Sequence, residues 1–151
     1  MGNIEGESTA DIDAPIERVW ALVADVERAP EWQDGLKSLT ALERDREGRA
    51  TLCSSENDAK VRTIRSTVRF RYRPPTQLSW EQEEGELKSV EGSWKLEDLG
   101  GGRTRATYRV DVDLGFTLGI VIRGPLVGVL RAQLAGARAG ELKAAVGASA
   151  A

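Results

Sequence analysis

One stretch constrains this chain more than any other. From Arg62 to Arg73 the residues alternate: Arg62, Ile64, Ser66, Val68, Phe70 and Tyr72 on one parity, and Thr63, Arg65, Thr67, Arg69, Arg71 and Arg73 on the other. A period of two puts these sets on opposite faces of a β-strand. One face is then mostly apolar and the other basic. A sheet with one apolar face has to bury it against a second layer.

The period of two extends to both sides. Strands are predicted near residues 36–44, 49–56, 60–72, 77–82, 87–97 and 104–114. The breaks are turn-like: Arg46-Glu47-Gly48, Asn57-Asp58, Pro74-Pro75, Glu84-Gly85 and Gly100-Gly101-Gly102. Hairpins in succession make an antiparallel meander. The Pro74-Pro75 turn should set Phe70 opposite Trp80 on the inner face and Arg69 opposite Glu81 outside. The last hairpin should place Trp94 near Tyr108 inside, with Glu97 meeting Arg105 outside.

Before the meander, residues 4–13 alternate as a first strand. Pro15 then suits a helix's first turn, since its missing N–H would have no partner there. Val19, Trp20, Leu22, Val23 and Val26 form an apolar stripe at helical spacing, with Trp20 expected in the core. A second short helix is predicted near residues 27–33, with Pro30 in its first turn. After the meander the helical period returns over residues 116–146, through Ile122, Leu126, Val129, Leu130, Leu134, Ala137, Leu142 and Ala145. Pro125 should kink this long helix or mark its true start. Its glycines are costly, about 1 kcal/mol each relative to Ala, and could permit close packing. Residues 1–146 should form one domain, with 147–151 a frayed tail.

Composition narrows the chemistry. Among 151 residues there is no histidine and a single cysteine, Cys53. That removes a Ser-His-Asp triad, a Cys-His pair, a histidine or four-cysteine zinc site and an internal disulfide. Catalysis would have to use carboxylates, Tyr, Lys, Arg or water. A net charge of −3 lacks the concentrated basic face of a nucleic-acid binder. No motif calls for a cofactor or metal; Gly100–Gly102 has no following helix and no Lys-Ser/Thr, so it is a turn rather than a phosphate loop. Residues 1–10 carry Glu5 and Glu7 and no apolar run, so no signal peptide is expected. The apolar stretch 114–130 is broken by Arg123, Gly124 and Pro125, so stable membrane insertion is not expected. A single thiol points to a cytoplasmic setting.

Particular residues agree with this order of elements. Asp11-Ile12-Asp13-Ala14-Pro15-Ile16-Glu17-Arg18-Val19-Trp20, Pro30-Glu31-Trp32, Leu78-Ser79-Trp80, Gly92-Ser93-Trp94, Gly100 to Arg105 followed by Tyr108, and Glu141-Leu142-Lys143 resemble the START-like (SRPBCC) superfamily. Within it they are most like the polyketide cyclase/dehydrase and lipid-transport group. The likeness covers nearly the whole chain and rests on scaffold positions. It implies an α+β helix-grip fold: a seven-stranded curved antiparallel sheet, two short helices and a long C-terminal helix. It also implies a ligand cavity between sheet and helix. Missing histidine, the Arg-rich strand and the Gly-rich last helix depart from the family's pattern.

The positions facing such a cavity are Trp32, Arg62, Ile64, Ser66, Val68, Phe70, Trp80, Gln82, Trp94, Tyr108, Leu130 and Leu134. Each aromatic among them can equally be plain core, and Arg62 can equally turn out to solvent at the strand end. The leading expectation is a binder or carrier of a small hydrophobic or aromatic ligand: a lipid, a polyketide-like compound or a quinone. One alternative is a polyketide aromatase/cyclase or dehydratase using Arg62, Tyr72, Gln82 and Tyr108. Another is an interaction module that dimerises or meets a membrane surface through 114–130. The outer arginines read as a solvated, cross-paired face, and Cys53 as inert packing.

Overall fold

The central alternation is a strand, β4 (Thr63–Arg73), and its neighbours form one sheet around it. In a computed structural model, which describes residues 3–60, 62–122 and 124–149, the strands are β1 (Asn3–Ile12), β2 (Leu36–Arg44), β3 (Ala50–Asp58), β4, β5 (Gln77–Gly85), β6 (Ser89–Gly100) and β7 (Arg103–Asp113). Their order is β1-β7-β6-β5-β4-β3-β2, antiparallel throughout. The meander is therefore complete, and β1 closes its far edge against β7.

The expected registers hold. Phe70 is opposite Trp80 and Arg69 opposite Glu81; Trp94 is opposite Tyr108 and Glu97 opposite Arg105. The outer charges of β4 pair diagonally with β5, while Arg105 pairs straight across with β1 and not with Glu97. Arg69 bonds Glu83 at 2.8 Å, Arg71 bonds Glu81 at 2.6 Å, and Arg105 bonds Asp11 of β1 at 2.8 Å. Such exposed pairs contribute little individually.

Between β1 and β2 lie α1 (Ile16–Ala24) and a 3-10 turn, Val26–Glu31. Val19, Val23 and Val26 are buried; Trp20 is only partly buried, at the margin of the core. Pro30 falls near the end of the 3-10 turn and not in its first turn. A tight i→i+3 turn tolerates it there because so short an element makes few bonds for the missing N–H to break.

The C-terminal cover departs most from expectation. The long C-terminal helix is present from Pro125, as one of the two expectations for that proline had it, but it is interrupted. Helix α2 (Gly115–Val121) stops, α3 (Pro125–Arg131) restarts with Pro125 at its first position, a π-turn follows over Ala132–Gly136, and α4 runs Arg138–Ser149. The expected frayed segment is thus helical as far as Ser149. The π-turn is closed by Ala137 N–H to the Ala132 carbonyl at 3.3 Å, a bond spanning one residue more than α-helix allows. That extra residue rotates everything after it. Leu130 is buried, and among the described side chains after it Ala135, Arg138, Ala139, Leu142 and Val146 are buried. Ala137, expected inside, is exposed, as is Val129. The glycines do not tighten this cover: Gly128 and Gly140 face open space.

Candidate functional site

The site grows from β-strand parity. The inner residues of β4 (Ile64, Ser66, Val68 and Phe70) share a wall with Leu78 and Trp80 of β5, Trp94 of β6, and Tyr108, Val110 and Val112 of β7. Ile122, Leu130 and Arg138 cover it from the C-terminal segment. Between wall and cover lies a cavity of about 150 Å³. Among the described lining residues, Asp58 at the end of β3 is the exposed one. There the Asp58 N–H bonds the Gly35 carbonyl at 2.7 Å, beside Gln33 and Leu36, which also line the cavity.

Two glycines shape this space. A Cβ on Gly92 would sit 2.3 Å from Cε2 of Trp80. The indole therefore lies flat over β6 where a side chain would otherwise stand. A Cβ on Gly6 would sit 2.4 Å from that of Ala135, so β1 and the π-turn approach at backbone distance. With Trp80 laid down, the aromatic rings form a continuous band. Phe70–Trp80 centroids are 6.0 Å apart, Trp80–Tyr108 5.6 Å, Trp94–Tyr108 4.8 Å and Trp32–Trp94 6.1 Å.

Of the sequence-predicted positions, Ile64, Ser66, Val68, Phe70, Trp80, Trp94, Tyr108 and Leu130 line the cavity. Three do not. Arg62 precedes the first ladder residue of β4, so parity no longer directs it inward; it is exposed and ion-paired with Glu86. Gln82 donates from Nε2 to the Leu87 carbonyl at 2.8 Å, bracing the β5–β6 hairpin next to a register shift between Thr67 and Val68. Trp32 backs Trp94 from behind the lining. The Leu134 side chain lies outside the described residues. Tyr72, the remaining catalytic candidate, also stays out of the cavity: its hydroxyl donates to the Ala50 carbonyl at 2.5 Å.

The polar lining consists of Gln33, Asn57 and Asp58 beside the β3 end and of Ser55, Ser66, Tyr108 and Arg138. Ser55 and Ser66 bond each other at 3.0 Å and so satisfy themselves. Tyr108 is buried, and burial raises its pKa against the opposing charge of Arg138. Arg138 is a charged lining residue that the sequence reading missed. Its side chain is 2% exposed. Nη1 donates to Glu141 Oε1 at 2.7 Å and to the Asp34 carbonyl at 3.1 Å, and the guanidinium stands 5.7 Å from the Tyr108 ring centre. Its Nε is buried without a partner. The signal was there in part: a stripe read backwards from Leu142 and Val146 passes through Arg138 and Ala139, whereas one read forwards from Leu130 passes through Leu134 and Ala137.

A family model described as polyketide cyclase/dehydrase and lipid transport matches residues 12–137. The chain belongs to that family. Solved structures agree in fold. A START superfamily protein from Mycobacterium smegmatis is 21% identical, with a TM-score of 0.74 over 92% of this chain and 97% of that one. A protein from Thermus thermophilus is 19% identical, with a TM-score of 0.79 over 97% and 99%. An aromatase/cyclase from a Streptomyces species is 16% identical, with a TM-score of 0.76 over 95% and 93%. At these identities the likeness is one of fold. No curated protein matches the chain in sequence. Among the described residues, no helix of this polyketide cyclase/lipid-transport family member is long and apolar enough to cross a membrane.

Proposed function

We propose that this protein binds and carries a small hydrophobic, ring-bearing ligand in the cavity between its sheet and its C-terminal helices. The observation behind this is the cavity itself. Side chains as large as Trp94 and Leu130 are almost wholly buried around it, yet about 150 Å³ stays open among them. Cores normally close such gaps, because every methylene of unfilled space costs stability. An apolar cavity of about this volume accepts a benzene-sized ring. A quinone, polyketide-like or lipid ligand would present such a ring or chain end. A cytosolic carrier is in keeping with one buried, unpaired thiol.

Native mass spectrometry and thermal shift with toluene, indole and naphthalene test this reading. We expect at least one to raise the melting temperature. Val110→Phe, which fills the space from the wall, should abolish that shift while the circular dichroism stays native. No shift with any of the three would overturn the reading.

A second reading is an aromatase/cyclase, supported by Tyr108, the only one of four catalytic candidates that lines the cavity. Tyr108 keeps its proton and can donate to a reacting oxygen. Turnover of a linear polyketone that is lost in Tyr108→Phe would favour it; equal turnover in both would remove it. The interaction reading draws on Phe116, 85% exposed, with Ile120 and Val129. Light scattering and liposome flotation decide it.

A further inference from the structure

We propose that the cavity selects a ring compound carrying an acidic oxygen, a carboxylate, phenolate or enolate, and that Arg138 is the group that reads it. This rests on the carrier reading above and adds the ligand's chemistry.

The first observation is where Arg138 stands. It opens α4 but points into the lining, 2% exposed, because the π-turn has rotated it onto the buried stripe. A cation in so apolar a space must be held by partners. One arm is: Nη1 reaches Glu141 Oε1 at 2.7 Å and the Asp34 carbonyl at 3.1 Å. Docking α4 onto the segment after Trp32 needs no more than that arm.

The second observation is the unused donor. Arg138 Nε is buried and has no protein partner, although the guanidinium lines the cavity. A buried cationic N–H is among the groups least tolerant of going unpaired. Glu141 does not fill the role: it is spent on Nη1 and on the Asp34 N–H at 3.0 Å, at the cavity's margin. Tyr108 stands beside the guanidinium, whose charge and hydrogen bond oppose the effect of burial on its hydroxyl, but that contact does not reach Nε, which stays without a partner. The serine pair is internally satisfied. A ligand acceptor would complete the arrangement, and an anionic oxygen makes the strongest such bond. With room for about one ring, the ligand that fits is an aromatic acid or an acidic phenol.

The test is calorimetric titration of the full chain with benzoate, its neutral isostere benzamide, and toluene. In the wild type, benzoate should bind about tenfold or more tighter than benzamide, as expected for a charged hydrogen bond. In Arg138→Met the ratio should fall to about one, and Arg138→Lys should restore part of it. A purely structural role would weaken all three probes together and leave the ratio unchanged. A wild-type ratio of about one overturns the acid reading without needing any variant. Toluene binding without benzoate binding does the same, and leaves the carrier reading intact. A preference for benzoate that survives Arg138→Met overturns the assignment to Arg138. If none of the probes binds, the carrier reading falls as well.

Discussion

Burial acts on three weak acids in the same direction. The Cys53 thiol is pushed from 9.0 up to about 11, and the Tyr72 and Tyr108 hydroxyls are raised above their ordinary 10.0, in each case chiefly by burial. The folded state prefers the neutral forms, while the unfolded chain releases these protons at the ordinary values. Their contribution is therefore whole below pH 9 and declines as pH rises from the ordinary values of 9.0 and 10.0 through the raised folded ones, about 11 for Cys53. Urea midpoints should hold steady in the neutral range and fall above it. Cys53 is 0% exposed, so iodoacetamide should label the native protein only as fast as it opens. Tyr72→Phe removes the donor to the Ala50 carbonyl and should cost about 1–3 kcal/mol by denaturant titration, with no change in ligand affinity.

At the level of elements, close approach decides what can change. Gly92→Ala would drive a methyl group into the Trp80 indole. We expect a loss of about 1–3 kcal/mol and, because Trp80 has to lift toward the cavity, weaker ligand binding and a shifted tryptophan emission. Gly6→Ala should cost a similar amount by pushing β1 off the π-turn, read as a lower urea midpoint. The strands were the most legible elements. Parity over Ile64, Val68 and Phe70 named the inner face, and the Pro74-Pro75 turn gave the Phe70–Trp80 register. Arg62 escaped because it precedes the ladder of β4; Gln82 keeps the inward register opposite Val68 at the last position before a shift, but its amide is drawn to the Leu87 carbonyl. The C-terminal segment was legible as helix but not in phase. A 3.6-residue stripe carries no mark for an inserted π-turn, so Arg138 was hidden although Leu130 and Leu142 were both correctly placed.

Across the whole molecule, fold and site separate. The element order and the sheet were readable because alternation, turns and helix starts all pointed the same way. The cavity's volume was not, since it depends on how Trp80 and Trp94 lie against Tyr108 and on how far the cover stands off. Ligand binding should appear as global stabilisation: at a hundredfold excess over Kd it adds about 2.7 kcal/mol, or about 2–4 °C per kcal/mol in melting temperature for a chain of this size. Acid should work from outside. Asp11, Glu31 and Glu83 have pKa values lowered by hydrogen bonds from Arg105, Arg28 and Arg69. Their contribution is present above the ordinary values of 3.8 and 4.5 and is lost as pH falls below them. Because these pairs are exposed, added salt should flatten this acid limb and leave the alkaline one in place.

The π-turn has an evolutionary consequence. Adding or removing one residue between Leu130 and Arg138 turns α4 by a fraction of a revolution while the sheet stays as it is. A different set of side chains would then face the cavity. A descendant of this chain could exchange a charged reader for an apolar one in a single indel, with no substitution in the wall. In this lineage, gaps in the last helix should track ligand preference more closely than point changes in the strands.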